Sequence, residues 1–267
     1  MDRRLLVLAL LVTACDLGRP RRDLPFLEDQ YSPATAPASL LDSPLPREPE
    51  IDGDVRHQLV TGPNGKLYRL RWENASDSVG RPAAGSLSRG RAIPSEGAGF
   101  QHIGKRPYGT DETVVYVMFA AWTVQALFPG TVPVVIGDLS DDGGGHVSPH
   151  RSHQTGRDAD IGLYKSGNRR LRVFEALGPE ELDAEKTWIY IEALLRTQQV
   201  LYIFMDRRLQ EALHAHARGE GWSDDVLAGI FQFPGGNVHA VIRHEPGHKN
   251  HMHVRFRCPR DDTDCVP

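Results

Sequence analysis

Apolar and polar positions change period several times along the chain, and each change marks an element. Residues 114–128 form an apolar-rich run closed by Pro129-Gly130, which predicts a buried helix. Residues 131–137 are short and β-branched, with Pro133 near their start, and predict a strand. In Asp158-Ala159-Asp160-Ile161-Gly162-Leu163 the alternation puts Asp158 and Asp160 on one face of a strand, with Ala159 and Ile161 on the other. Gly178-Pro179 signals a helix start, and Trp188, Ile189, Ile191, Leu194 and Leu195 recur at roughly helical spacing within 183–196. Residues 200–205 predict a strand, and 208–218 an amphipathic helix with His214 and His216 toward solvent. Residues 238–243 and 252–257 read as two strands joined through Pro246-Gly247. Helices among short strands make an α+β domain with a small, mainly antiparallel sheet and flanking helices. No internal repeat and no second linker interrupts the chain after about residue 55, so one domain is expected over 56–267.

Ahead of it the periodicity disappears. Residues 1–14 open with Arg3-Arg4, run apolar over 5–12 and end in Thr13-Ala14, which predicts an export signal well short of the ~20 residues that span a bilayer. Val12-Thr13-Ala14-Cys15 resembles a bacterial lipobox, which would make Cys15 the acylated first residue of a membrane-anchored lipoprotein facing the periplasm. Whether the anchor sits in the inner or outer membrane is left open. Residues 15–55 repeat proline among charges and small residues, and are expected to form a flexible tether. Export also places Cys258 and Cys265 in an oxidising compartment, so a disulfide closing that short loop is expected.

The chain has 267 residues, 31 basic and 35 acidic, for a formal net charge of −4, with 40% hydrophobic residues. This is a soluble globular composition, and its mild acidity gives no reason to expect nucleic acid as a partner. The departure is 12 histidines beside 3 cysteines and 4 methionines. Histidine is the commonest metal ligand and a frequent general base, so its placement matters more than the overall charge.

Two clusters hold most of the interest. In the first, Gly143-Gly144-Gly145 and Pro149 exclude a regular element before His150, leaving a loop that carries His146, His150 and His153 toward the 158–163 strand. Asp158 and Asp160 on that strand need a cation or an exposed face, because buried carboxylates are costly unpaired. In the second, His244-Glu245-Pro246-Gly247-His248 matches the HExxH pattern of zinc proteases, but Pro246-Gly247 is a turn signal inside what would have to be a helix. His251-Met252-His253 fits better as strand, with His251, His253 and Arg255 on one face. Imidazole and carboxylate without thiolate form a ligand set suited to zinc. Spacing alone does not separate Asp158 from Asp160.

Ser152-His153-Gln154-Thr155-Gly156-Arg157-Asp158-Ala159-Asp160-Ile161, followed by His248-Lys249-Asn250-His251-Met252-His253-Val254-Arg255 and Cys258-Pro259, resembles the penicillin-insensitive murein endopeptidases. These belong to a wider group of lysostaphin-type, D-Ala-D-Ala-cleaving and hedgehog-like metal domains that share HxxxxxxD and a later HxH. Ser78-Val79-Gly80 with Gly85, and Val135-Ile136-Gly137-Asp138, look familial too, so the likeness spans roughly residues 75–265.

The resemblance implies a hedgehog/D-Ala-D-Ala-peptidase-like fold and one Zn2+ held by His153, Asp160 and His253, with a fourth position open for water. It implies that His251 is the general base, and that His150 and His248 orient the scissile amide or stabilise the developing oxyanion. The implied substrate is peptidoglycan (murein), at the bond between D-alanine and the side-chain amine of the next stem's diamino acid. No acylatable serine is needed, which accounts for indifference to β-lactams. The competing expectations are a carboxypeptidase or dipeptidase of the same metal group, and a wall-binding domain that keeps zinc without turnover. His146, Asp138 and Asp158 are candidates for a second metal or for hydrogen bonds behind the ligands. His57, His102, His214, His216 and His239 require no functional explanation.

Overall fold

In a computed structural model, which describes residues 27–31 and 49–267, the apolar run after Thr110 becomes the helix around which the other layers assemble. The chain order begins β1 (Leu27–Tyr31), β2 (Glu50–Asp52), β3 (Val55–Thr61), β4 (Leu67–Glu73), β5 (Asp77–Arg81), β6 (Ala84–Ser88), β7 (Arg91–Ala92), β8 (Glu96–Gly97), β9 (Phe100–His102) and β10 (Tyr108–Gly109). It continues α1 (Asp111–Leu127), β11 (Val134–Ile136), β12 (Asp158–Gly162), α2 (Ala184–Arg196), β13 (Val200–Met205), α3 (Arg207–Gly219), α4 (Asp224–Ile230), β14 (Ile242–His244) and β15 (His251–Phe256).

Helix α1 is capped by Thr110, whose side chain accepts from the Thr113 N–H, and every residue from Asp111 to Ala121 is buried. Such a helix has no solvent face and must be covered all round. One side meets Tyr68 and Trp72 of β4, edge-on to Phe119 and Tyr116. Another meets α2, where the Tyr190 hydroxyl donates to the Val117 carbonyl at 3.0 Å. A third meets the large sheet, where Tyr116 packs on Phe256 of β15.

The large sheet runs β14-β13-β15-β12-β11-β9-β8. Four of its six pairings are antiparallel, while β13–β14 and β11–β9 are parallel. The two strands expected on either side of Pro246-Gly247 are both present, but the first is confined to β14 and does not pair with the second. β13 lies between them, parallel to β14 and antiparallel to β15. The expected α+β architecture of small sheets and flanking helices is thus observed.

Residues 1–26 and 32–48, which carry the expected signal, Cys15 and most of the expected tether, lie outside the described residues. Within that tether stretch, β1 and β2 run along the two edges of a four-stranded sheet ordered β1-β4-β3-β2. No helix among the described residues is long and apolar enough to cross a membrane.

The C-terminus is fastened rather than free. Cys258 and Cys265 form a disulfide. Gly80 N–H donates to the Asp264 carbonyl at 2.9 Å and Val266 N–H to the Gly80 carbonyl at 3.0 Å, so the tail extends the β5–β6 hairpin. Arg157, fully buried ahead of β12, donates from Nη1 to the Phe256 carbonyl and from Nη2 to the Val266 carbonyl. The hairpin then leans on the histidine loop: a Cβ at Gly85 would collide with the Val79 carbonyl and the Thr155 methyl, which explains why glycine stands there.

Two acids sit where α1 meets this tail. Glu112 accepts from Trp72 Nε1 at 3.0 Å and Asp262 from the Ser78 N–H at 2.6 Å, while the second oxygen of each is buried with no partner among the described residues. Burial pushes each carboxyl up to about 7. Between the ordinary glutamate value of 4.5 and about 7, the unfolded chain has released a proton that folded Glu112 keeps, so stability falls as pH rises through that window. Glu112→Gln keeps the acceptor for Trp72 and is expected to flatten this slope, adding up to ~3 kcal/mol at pH 8. Urea unfolding at pH 5 and pH 8 checks it; an unchanged slope in the variant would assign the pH dependence elsewhere.

Candidate functional site

The site is built on the pairing of β12 with β15. Asp158 stands opposite Arg255, Asp160 opposite His253 and Gly162 opposite His251. The two alternating patterns read from the sequence therefore face each other across one antiparallel ladder, where side chains on the same face are within contact. Phe204 of β13 extends the floor beside His253, their rings 5.9 Å apart and nearly parallel.

The loop before β12 supplies the remaining histidines. His153 adopts a left-handed backbone, φ +67, held by its own N–H to Asp158 Oδ2 at 2.9 Å. This uncommon conformation turns the imidazole back over the strand. His153 Nε2 lies 3.2 Å from His253 Nδ1 and 3.3 Å from Asp160 Oδ1, and His253 Nδ1 lies 3.0 Å from the same oxygen. Atoms on neighbouring corners of a tetrahedron with metal–ligand bonds of ~2.0–2.1 Å are ~3.3 Å apart, so this triangle fits one small divalent cation. His150 stands next to it: His150, His153 and Asp160 each offer an atom within 4.8 Å of the others, though His150 Nδ1 is 3.7 Å from Asp160 Oδ2.

Electrostatics point the same way. Asp158 and Asp160 are almost fully buried, which by itself raises a carboxyl. Hydrogen bonds and positive charge from His253 and His153, joined at Asp158 by the Arg255 guanidinium, outweigh burial and hold both well below the usual carboxylate range. His253 responds in kind: burial would lower it, but the two carboxylates push it up to about 9. The pair of carboxylates calls for a cation between them, whether a proton on His253 or a metal ion.

Each of the five clustered histidines has one ring nitrogen anchored and the other turned toward the cluster. His153 Nδ1–H donates to the Leu139 carbonyl. His253 Nε2 meets Asp158 Oδ1 at 3.0 Å, the carboxylate–imidazole pairing that orients metal-ligating histidines. His251 Nδ1–H donates to Asn250 Oδ1 at 2.7 Å, and its ring stacks on Phe174 with centroids 4.9 Å apart. His248 Nδ1–H is shared by the Glu245 and Pro246 carbonyls at 3.2 and 3.3 Å. His150 Nε2 meets Asp138 Oδ2 at 3.2 Å, and Arg106 Nη1 grips the same oxygen at 2.8 Å.

Burial and nearby charge set the protonation of the outer three. Burial pushes His251 down to about 4 and lowers His248, so both are neutral near pH 7. The Asp138 hydrogen bond raises His150 against its partial burial.

All five histidines and Asp160 line one cavity of about 1050 Å3. Phe174 and Phe204, which also line it, carry no signal in the sequence: a single aromatic in an irregular segment and one in an apolar strand look like packing. Asp138 and Asp158 act as hydrogen-bond acceptors behind the histidines. His146 is exposed and does not line the cavity. The HExxH string forms no helix: His244 ends β14, Gly247 turns at φ +94, and His244 Nδ1 accepts from the Arg207 N–H. His214, expected in solvent, instead sets its ring edge-on to Phe231 and Phe233, because α4 and the following turn cover that side of α3.

A family model described as penicillin-insensitive murein endopeptidase matches residues 78–218, just over half of the chain. The chain is 26% identical over 209 residues to the penicillin-insensitive murein endopeptidase of Escherichia coli O157:H7 (strain EC4115 / EHEC), covering 72% of this chain and 70% of that one. It is 27% identical over 210 residues to that of Salmonella heidelberg (strain SL476), covering 72% and 70%. Against that of Haemophilus influenzae it is 27% identical over 209 residues, covering 72% and 68%.

Asp158 joins His253, Arg255 and the His153 backbone, so its charge orients two of the three donor atoms. Asp158→Asn is expected to weaken metal binding by ~10- to 100-fold while the fold persists. Titration of the purified chain with zinc against a chromophoric chelator, with circular dichroism alongside, checks this. Wild-type affinity in the folded variant would show that Asp158 does not position the donors.

Proposed function

The chain belongs to the penicillin-insensitive murein endopeptidases, a family of metallopeptidases, and we propose that it is a zinc enzyme hydrolysing the D-alanyl–diamino acid cross-link of peptidoglycan. The observation that carries this reading is the triangle of His153 Nε2, Asp160 Oδ1 and His253 Nδ1, with a carbonyl or carboxylate behind each imidazole. These three residues would hold the zinc. Bound there, it supplies Lewis acidity to an amide carbonyl and to a water beside it.

The chain's own groups divide the remaining work by protonation state. His251 is neutral with Nδ1–H spent on Asn250, so Nε2 presents a lone pair 3.7 Å from Asp160 Oδ1, at the edge of the donor triangle. It takes a proton from the attacking water at Nε2 and returns it to the leaving amine nitrogen. Asp160, close by, favours the imidazolium formed in between. His248 is neutral with Nδ1–H committed to two carbonyls, so it offers only an acceptor to the cavity and suits the N–H of the scissile amide. His150 is raised by Asp138, and in its protonated form it carries an N–H at Nδ1 that suits the carbonyl oxygen as negative charge develops on it.

A cavity of about 1050 Å3 with walls on both sides of the cluster gives room for peptide on each side of the cut, which favours an endopeptidase over removal of a terminal D-alanine. A cell-wall substrate suits a periplasmic lipoprotein anchored through Cys15.

Purified cross-linked muropeptides are expected to be cut to monomers, with loss of activity under chelation and recovery with zinc. Uncross-linked pentapeptides should be poor substrates; efficient release of their terminal D-alanine would point to the carboxypeptidase instead. Full activity in His153→Ala or His253→Ala would overturn the assignment. His251→Ala should lower kcat by ~10²–10⁴ while metal stays bound. Because His251 loses its lone pair only as pH falls toward about 4, the acid limb of kcat/KM in saturating metal should lie below pH 6, not near the ordinary histidine value of 6.5.

A further inference from the structure

The segment between β12 and α2 brings one aromatic ring to the cavity. Phe174 is the single aromatic among residues 165–177, and it is half-buried while Arg172 and Val173 beside it are exposed. The segment is pinned on both sides of it. Val132 N–H donates to Asn168 Oδ1 at 3.0 Å and Asn168 Nδ2 to the Gly130 carbonyl at 3.1 Å, while Leu177 N–H donates to the Lys249 carbonyl at 3.2 Å. Held this way, Phe174 lies nearly parallel to the His251 ring, with 14° between their planes and 4.9 Å between centroids. The tip of the ring rests on Gly137. A Cβ there would stand 2.5 Å from Phe174 Cζ and 2.6 Å from Cε2, closer than carbon atoms pack, so a missing side chain at 137 is what admits the ring.

The same residue also acts through its backbone. Asn250 Nδ2 donates to the Phe174 carbonyl in a long bond of 3.5 Å, and Asn250 Oδ1 accepts from His251 Nδ1 at 2.7 Å. The opposite setting of the amide would put its oxygen against the Phe174 carbonyl, acceptor on acceptor, and turn its NH2 donors toward the imidazole. The Phe174 carbonyl therefore selects which end of Asn250 faces His251, and that end requires the proton on Nδ1.

We propose that Phe174 is a positioning residue for the general base, holding the plane of the His251 ring by stacking and its tautomer through Asn250, with Gly137 as the notch that admits it. This rests on the peptidase reading above, in which His251 takes a proton at Nε2. A half-turn of the imidazole about its Cβ–Cγ bond would exchange Nδ1 with Cδ2 and Nε2 with Cε1. A carbon would then face the donor triangle, and Nδ1 would lose Asn250. A flat ring stacked on one face and an amide fixed at one edge oppose that turn together. Misplacing a reacting group by a small distance costs rate while leaving substrate binding intact.

The test reads a small set of variants in two ways, with circular dichroism confirming the fold of each. Phe174→Ala, loaded with zinc, is expected to lower kcat on cross-linked muropeptides by ~10- to 100-fold, with KM and zinc affinity little changed. Gly137→Ala should lower kcat in the same way, because its methyl displaces the ring. In the Gly137→Ala, Phe174→Ala double variant that methyl should cost nothing further, a coupling expected only of two residues acting through one contact. Nitrogen-15 NMR of the zinc-loaded chain without substrate reads the base directly. His251 should show the Nδ1–H tautomer alone in the wild type, and a mixture with Nε2–H in Phe174→Ala and in Asn250→Leu. An effect on KM alone would make Phe174 a substrate contact and overturn the proposal. So would additive losses at 137 and 174, or the Nδ1–H tautomer alone in both Phe174→Ala and Asn250→Leu, and each leaves the peptidase standing. If the wild type cuts no cross-linked muropeptide, the peptidase reading falls, and the NMR measurement decides by the same criterion whether Phe174 and Asn250 hold His251.

Discussion

Two carboxylates on a strand with no solvent on either face are the constraint from which this site follows. Every residue of β12 from Asp158 to Gly162 is buried, and a carboxylate there survives as an anion only if positive charge and N–H donors meet it. Asp158 accepts from the His153 backbone, from His253 Nε2 and from Arg255 at both Nε and Nη2. One side chain thereby ties the histidine loop to β15 and sets the rotation of the His253 ring. Asp160, one pleat along, is left facing His153 and His253 with its charge still to be balanced. The cost of burying charge is what makes the cluster a cation site rather than a chance meeting of polar groups.

The scaffold keeps that arrangement from relaxing. α1 has no exposed face from Asp111 to Ala121 and is held by three layers, so the sheet cannot shift against it without opening the core. The tail closes from the other side, where Arg157 joins the start of β12 to the end of β15 and to the segment stapled by Cys258 and Cys265. The β5–β6 hairpin, bound to that tail, presses Gly85 against Thr155 two residues past His153. Features remote in sequence thus fix the loop on which the site depends, which places the support for a catalytic geometry on rigid elements.

The anchored nitrogens give the cluster its division of labour. Five imidazoles could interchange roles if their rings were free, but each has one nitrogen committed to a carbonyl, an amide oxygen or a carboxylate. Burial keeps His248 and His251 neutral, while the carbonyls behind His248 and the Asn250 amide behind His251 fix the proton on Nδ1 and leave Nε2 accepting, and Asp138 raises His150. A single residue type thereby presents acceptors and donors at different points of one cavity, because burial and nearby charge set each ring's protonation and the partner behind it sets the tautomer.

Much of this was legible in the chain. Period-2 alternation identified β12 and β15 and put Asp158 with Asp160, and His251 with His253 and Arg255, on shared faces, because side-chain direction in a strand is a local property. Pro246-Gly247 was enough to reject the HExxH string, since proline restricts the backbone before it. The register was not local. That Asp160 faces His253 rather than Arg255 depends on how two strands nearly a hundred residues apart align, and it is what separates Asp160, in the donor triangle, from Asp158, behind it. Phe174 against His251 and the covering of His214 are likewise decided by packing between distant segments. The sequence by itself determined which residues could bear the chemistry and which face of each strand they share. Only the tertiary structure decided which of them meet, because the free energy of burying a charge depends on neighbours the chain brings together only by folding.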